Sequence, residues 1–376
     1  MPSLLSDVDP DGLLEYSVVF TDRTLNHMSQ QFQGVMRDLD RMLRATYNAE
    51  AVALVPGGGS YAMEAVARQL ATGQRCMVIR NGWFSFRWTQ IFEAGAIPAS
   101  HTVLSARPQG DGPQAAFAPV PIEEATAAIR DQRPALVFAP HVETAAGMLL
   151  PDGYIRALSD AVHSVGGLLV IDGVASGALW LDMAALGVDV FITAPQKGWS
   201  APPSCGMVML SAAARDRVEA TTSTSFANDL KKWCAIMAAY TAGGHAYHAT
   251  LPTDALRQLR DVMAEAEGYG LDKLRDAQRA LGAAVRQALV ARGFPSVAAP
   301  GFQSPTVVVS HTTDPAIKSG RAFAAAGVQI AGGVPLRCGE HADFRTFRVG
   351  LFGMDKLYDV DATVQRFVDA LGRMGL

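Results

Sequence analysis

From about residue 50 onward, short runs of β-branched and other apolar residues alternate with stretches of helical periodicity. That alternation marks βαβ units and predicts a mainly parallel sheet flanked by helices. Strands are predicted at 51–55, 76–80, 135–139, 168–172, 188–193 and 206–210. Helices are predicted at 61–70, 86–94, 122–129, 151–165 and 212–220. The run 108–113, Pro-Gln-Gly-Asp-Gly-Pro, has the turn chemistry of a surface loop. After Tyr247 the texture changes. Residues 252–292 form one long helical pattern rich in Ala, Leu, Arg and Glu, interrupted near Gly268–Gly270. Beyond it come a strand at 306–310, a helix at 316–326, strands at 328–331 and 344–350, and a terminal helix from Asp359. The expected division is an N-terminal segment 1–20, a large α/β domain 21–255 and a smaller α+β domain 256–376.

Composition narrows the class. A chain of 376 residues is long enough for about two cores. A net charge of −4 offers no basic surface to nucleic acid, and 18% charged residues suits a buried sheet better than a disordered chain. No apolar run reaches membrane-spanning length, the stretch 165–181 being interrupted by Asp172 and several glycines. The start, Met-Pro-Ser-Leu-Leu-Ser-Asp-Val-Asp, lacks the basic and apolar regions of a signal peptide. Cys76, Cys205, Cys234 and Cys338 are scattered, with neither zinc spacing nor disulfide density. The expectation is a cytoplasmic protein with no bound metal and no membrane or nucleic-acid partner.

The chemistry centres on Lys197. The segment Asp189-Val-Phe-Ile-Thr-Ala-Pro-Gln-Lys197-Gly-Trp reads as a buried strand running into a loop whose only cation is that lysine. Upstream, Gly167-Leu-Leu-Val-Ile-Asp172-Gly is a second apolar run that ends in a carboxylate. Pyridoxal phosphate needs this pair: an amine to form a Schiff base with its aldehyde, and an acid to keep its ring nitrogen protonated. The turn Pro56-Gly57-Gly58-Gly59-Ser60-Tyr61 lies between a strand and a helix, where bare N–H groups and the Ser60 hydroxyl can hold a phosphate. It has neither the G-x-G-x-x-G dinucleotide pattern nor a P-loop lysine, so a small phosphate suits it better than a nucleotide. His245-x-x-His248 lacks a nearby carboxylate or cysteine to complete a metal site.

With Asp172, Gln196-Lys197, Tyr247/Thr250 and Arg348 in this order, the chain over roughly residues 20–375 resembles the class V, fold-type I pyridoxal-phosphate enzymes. The likeness is to the alanine/serine–glyoxylate aminotransferase branch. It implies a large domain built on a mainly parallel seven-stranded sheet and a smaller C-terminal domain. It places Gly58, Gly59, Ser60 and Gln196 on the cofactor phosphate. It puts Phe84, within Asn81-Gly-Trp-Phe-Ser-Phe-Arg-Trp88, in stacking contact with the pyridine, with Trp83 its neighbouring rival. Thr144, in His141-Val-Glu-Thr-Ala-Ala-Gly147, would bond the phenolic oxygen, while His141 and Glu143 read better as structural hydrogen-bonders.

Tyr247 and Thr250 would cross a homodimer interface to the neighbour's phosphate, giving shared active sites. Arg348 would fork onto the substrate carboxylate, a geometry lysine does not reproduce. The implied reaction is transamination of a small amino acid with an oxo acid such as pyruvate or glyoxylate. The alternative is a class V lyase or cysteine desulfurase using Cys338. The family pattern is broken at Val142, at Ala145-Ala146 and across 15–23, where relatives carry a Gly-Pro-Gly segment. Arg23 and Arg87 are candidates for a second anion contact.

Overall fold

The structure, a computed structural model, describes residues 16–18 and 24–376. Its main sheet has seven strands: β1 (Ala51–Pro56), β2 (Arg75–Arg80), β3 (Ser100–Ser105), β4 (Leu136–Pro140), β5 (Leu168–Asp172), β6 (Val190–Thr193) and β7 (Cys205–Leu210), in the order β1-β7-β6-β5-β4-β2-β3. Every position of β4, β5, β6 and β7 is buried, which explains their near-continuous apolar sequences. β7 runs against both of its neighbours, so the other six strands share one direction. This is the mainly parallel α/β sheet expected from the sequence.

Register then places the site. Asp172 is opposite Pro140 on one side and Ile192 on the other, so the loops leaving β4, β5 and β6 emerge together at one edge. Open α/β sheets bind their ligands at such an edge.

Helices α1 (Gln30–Tyr47), α2 (Gly59–Val66) and α3 (Trp83–Gly95) flank the sheet. Gly57, at φ 118°, makes the turn that joins β1 to α2. β1 is at the outer edge of the sheet, and α2 reaches inward by crossing β7 at Gly206. A β-carbon there would lie 2.3 Å from Ala62 Cβ and 2.7 Å from the Gly58 carbonyl oxygen.

The chain downstream carries a three-stranded antiparallel sheet, β8 (Val307–His311), β10 (Thr346–Gly350) and β9 (Ala331–Gly332) in that spatial order. The long pattern at 252–292 is two helices, Thr253–Tyr269 and Leu271–Val290, separated by Gly270 at φ 110°. Leu271–Val290 packs against β8 and against the terminal helix Val360–Arg373.

Three local expectations change. The helix expected at 316–326 is split into Pro315–Lys318 and Arg321–Ala325 by left-handed Gly320. The strand expected at 328–331 is only the pair Ala331–Gly332, held by β10. Helix α1 and edge strand β3 were not anticipated. Among the described residues no helix is long and apolar enough to cross a membrane.

Gly206→Ala should destabilise the protein by about 1–3 kcal/mol, because the added methyl meets backbone and a helix methyl rather than a flexible side chain. Urea denaturation measures this. An unchanged midpoint would mean that α2 retreats without loss.

Candidate active site

One cavity of about 570 Å³ opens at the carboxyl edge of the sheet, between it and β9–β10. Gly59, Ser60, Phe84, Thr144, Asp172, Gln196, Lys197 and Arg348 all line it, so eight expected site residues from distant parts of the chain converge on one space. Gly58 is the N-cap of α2, directly before Gly59. Tyr247 and Thr250 are elsewhere: they are exposed, with their hydroxyls 3.5 Å apart. Arg23 and most of the divergent 15–23 segment lie outside the described residues.

Asp172 ends β5 and is only 8% exposed. The Val174 N–H donates to its Oδ1 at 2.9 Å, and among the described residues its Oδ2 has no hydrogen-bond partner. Burial raises its pKa from 3.8 to about 6; the Val174 bond opposes that rise, and Glu143 adds to it. Behind it, the His141 N–H donates to the Asp172 carbonyl at 2.8 Å, and His141 Nδ1 is 2.7 Å from Ser176 Oγ. Burial pushes His141 down to about 4, so it is neutral near pH 7. It does not line the cavity.

Lys197 follows β6 in a tight turn closed by Ser200 N–H to the Lys197 carbonyl (3.3 Å) and Ala201 N–H to the Pro195 carbonyl (3.1 Å). Ser200, at φ 57°, accepts from the Met354 N–H at 2.7 Å and so ties this turn to the C-terminal part of the chain. The Lys197 ammonium has no ion-pair partner among the described residues and is 5.0 Å from the centre of the Phe352 ring. Burial, and after it the Arg348 charge, lowers its pKa. An amine placed this way gives up its proton more readily than a surface lysine.

Phe84 is held by a buried carboxylate. Glu143 accepts from the N–H groups of Phe84 (3.1 Å) and Ser85 (2.9 Å), the Ser85 hydroxyl (2.7 Å) and the Ala145 N–H (3.0 Å). A carboxylate at the start of α3 also complements the helix dipole. The Phe84 ring has the Arg87 guanidinium 5.3 Å and the Arg348 guanidinium 5.7 Å from its centre. Trp83 instead packs against Phe86 and under Arg337, away from the cavity wall. Arg348 is opposite Val309 and Ala331, and its Nε donates to the Gly332 carbonyl at 2.9 Å.

The donor set fits pyridoxal phosphate. Thr144, Gln196, Lys197 and the Asp172 Oδ2 all face the cavity without a hydrogen-bond partner among the described residues, beside an aromatic ring and a helix N-terminus. A few convergent polar groups in a largely apolar cleft are the usual make-up of a small-molecule site. Sequence reading missed Phe352, Val174 and the Gln329–Ala331 wall, which carry no chemical signature. Cys338 is off the cavity, its Sγ 3.4 Å from the Arg80 carbonyl and its thiol pushed up to about 12 by burial.

The buried charge of Asp172 should be visible in stability. Its folded pKa exceeds the unfolded one, so folding stability declines as pH rises from about 4 through about 6. Asp172→Asn should therefore stabilise the cofactor-free protein more at pH 8 than at pH 5, by about 1–1.5 kcal/mol. Thermal unfolding at the two pH values checks this, and a pH-independent effect would contradict it.

No protein-family model matches the chain. Over 358 residues it is 30% identical to 2-aminoethylphosphonate–pyruvate transaminase 2 of Paraburkholderia xenovorans, covering 93% of this chain and 90% of that one. It is 27% identical over 278 residues to L-aspartate–glyoxylate aminotransferase of Paracoccus denitrificans, covering 72% and 66%. In three dimensions it resembles the alanine–glyoxylate aminotransferase of Nostoc sp., with a TM-score of 0.79, 22% identity and coverage of 93% and 89%. The subgroup IV aspartate aminotransferase of Thermus thermophilus gives a TM-score of 0.75 at 25% identity, covering 93% of each chain. With its sheet, its convergent lysine and aspartate and these relatives, the chain belongs to the class V, fold-type I pyridoxal-phosphate-dependent aminotransferases.

Proposed function

We propose that this aminotransferase exchanges the amino group of a small amino acid with pyruvate or glyoxylate, through the cavity built around Lys197 and Asp172. The carrying observation is that Asp172, Lys197 and Arg348, from distant parts of the chain, line one cavity. The relatives support the reading, since their names couple an amine donor to pyruvate or to glyoxylate. When bound, pyridoxal phosphate supplies an aldehyde that captures amines and a ring that withdraws electrons from the carbon being deprotonated.

The residues divide the remaining work. Lys197 Nζ removes the substrate α-proton and returns it on the cofactor side. Burial, and after it the Arg348 charge, lowers its pKa and so favours that role. Asp172 would hold the ring nitrogen in its protonated form, with Phe84 beside the ring and Thr144 toward its phenolic oxygen. Gly58, Gly59, Ser60 and Gln196 would hold the phosphate at the start of α2. Arg348 forks onto the substrate's acid group, with its orientation fixed by the Gly332 carbonyl.

The working unit is proposed as a cytoplasmic homodimer. Tyr247, 61% exposed beside Thr250, has an unburied aromatic face that suits a contact with the neighbour's phosphate. With Cys338 off the cavity, no thiol among the described residues is placed for a desulfurase step.

Lys197→Ala should retain cofactor through its phosphate contacts and lose turnover, with borohydride labelling of the native protein directed to the Lys197 peptide. Label on another peptide would sink the assignment. Arg348→Lys should weaken kcat/KM by a few kcal/mol at most while leaving cofactor affinity unchanged. Unaltered kinetics would place the acid group elsewhere. Mixing Lys197→Ala chains with Tyr247→Phe/Thr250→Ala chains should recover activity in the mixed dimer; an active monomer on sedimentation would refute shared sites.

A further inference from the structure

The cavity holds one cation for which the roles above have no use. Arg87, on the first turns of α3, lines it together with Lys197 and Arg348. Its guanidinium donates to Ser60 Oγ at 3.0 Å and makes no ion pair with any described residue. Its other neighbour is the Phe84 ring, 5.3 Å from centre to guanidinium carbon. Arg87 therefore spans from the aromatic wall to the glycine-rich turn, at the lining of the cavity.

Charge makes the arrangement informative. Among the described residues the cavity is lined by Lys197, Arg87 and Arg348 but by a single carboxylate, Asp172. Guanidinium groups half withdrawn from water without a counter-charge are costly unless an anion completes them. Gly59 and Ser60, at the positive end of α2, line the same cavity, and Arg87 donates to the Ser60 hydroxyl. A phosphate monoester carries close to two negative charges and three acceptor oxygens, which a helix end and neutral donors alone only partly balance.

We infer that Arg87 binds the cofactor's phosphate from within its own chain, as a charged partner to Ser60 and the α2 N-terminus. The inference rests on the aminotransferase reading above. With Arg87 occupied in this way, Arg348 is the one remaining guanidinium in the described cavity wall, so the substrate end receives a single acid group.

The test compares pyridoxal 5′-phosphate with pyridoxal, which lacks only the phosphate, by titrating each into full-length cofactor-free enzyme and following absorbance and fluorescence quenching. Arg87→Ala and Arg87→Gln should each weaken pyridoxal phosphate roughly 10- to 100-fold and leave pyridoxal within about 2-fold. The glutamine variant keeps a donor toward Ser60 and so guards against a simple folding defect. Arg87→Lys, which restores charge without the fork, should recover part of the loss. Inorganic phosphate should compete with pyridoxal phosphate in the wild type and much less in Arg87→Ala.

Unchanged affinity for pyridoxal phosphate would overturn the inference, as would equal weakening of both compounds, which would mean that Arg87 acts through Phe84. A raised KM for dicarboxylic donors with unaltered cofactor affinity would also overturn it, assigning Arg87 to the substrate. Failure of the wild-type protein to take up pyridoxal phosphate at all would instead bring down the parent reading.

Discussion

The organising constraint is a carboxylate kept where water barely reaches it. Asp172 is the last residue of a fully buried strand, and burial raises its pKa to about 6 despite the Val174 N–H bond that favours its charge. A fold does not carry such a group without use, since a packed apolar replacement would be less costly. In the proposed reading the compensation is a positively charged partner delivered by a ligand, and pyridoxal phosphate, protonated on its ring nitrogen, would supply one. The parallel register that aligns Asp172 with Pro140 and Ile192 brings the Thr144 loop and the Lys197 loop to either side of it.

Around this acid the cationic groups are separated by mechanical supports. Lys197 is fixed by its own turn and by the Ser200–Met354 link, which couples the lysine loop to the chain that bears Arg348. Arg348 is set by cross-strand pairing in β10 and by the Gly332 carbonyl. After burial, their mutual repulsion contributes to the lowered pKa of Lys197, a cost to stability but an advantage for the proposed base.

Glu143 shows how a residue with no contact to the chemistry can still govern it. Fully buried, it gathers three N–H groups and the Ser85 hydroxyl, and thereby locks the first turn of α3 against the end of β4. Gly82 is small for the same reason: a β-carbon there would sit 2.7 Å from Glu143 Cγ. The position of the Phe84 ring follows from this clamp.

Much of this was legible in the sequence because the signals are local. Strands β4 to β7 announce themselves as continuous apolar runs, and Asp172 and Lys197 stand out as polar residues at the ends of two of them. The break near Gly270 was visible for the same reason. Helix α1 carries an equally local signal, with apolar residues at 32, 35, 36, 39, 42 and 43 and a Ser29 cap that accepts from the Phe32 N–H.

Edge strand β3, Ser-His-Thr-Val-Leu-Ser, lacks the apolar run because none of its positions is buried, and only pairing with β2 makes it a strand. The resemblance put Phe84 ahead of Trp83, and the structure agrees in placing Phe84, not Trp83, on the cavity wall. That Gly206 admits α2 to the site, and that Arg87 meets Ser60, were decided by tertiary packing alone. Composition and periodicity report what each segment buries, whereas contacts between segments 27 or more residues apart depend on how the sheet brings its carboxyl ends to one edge.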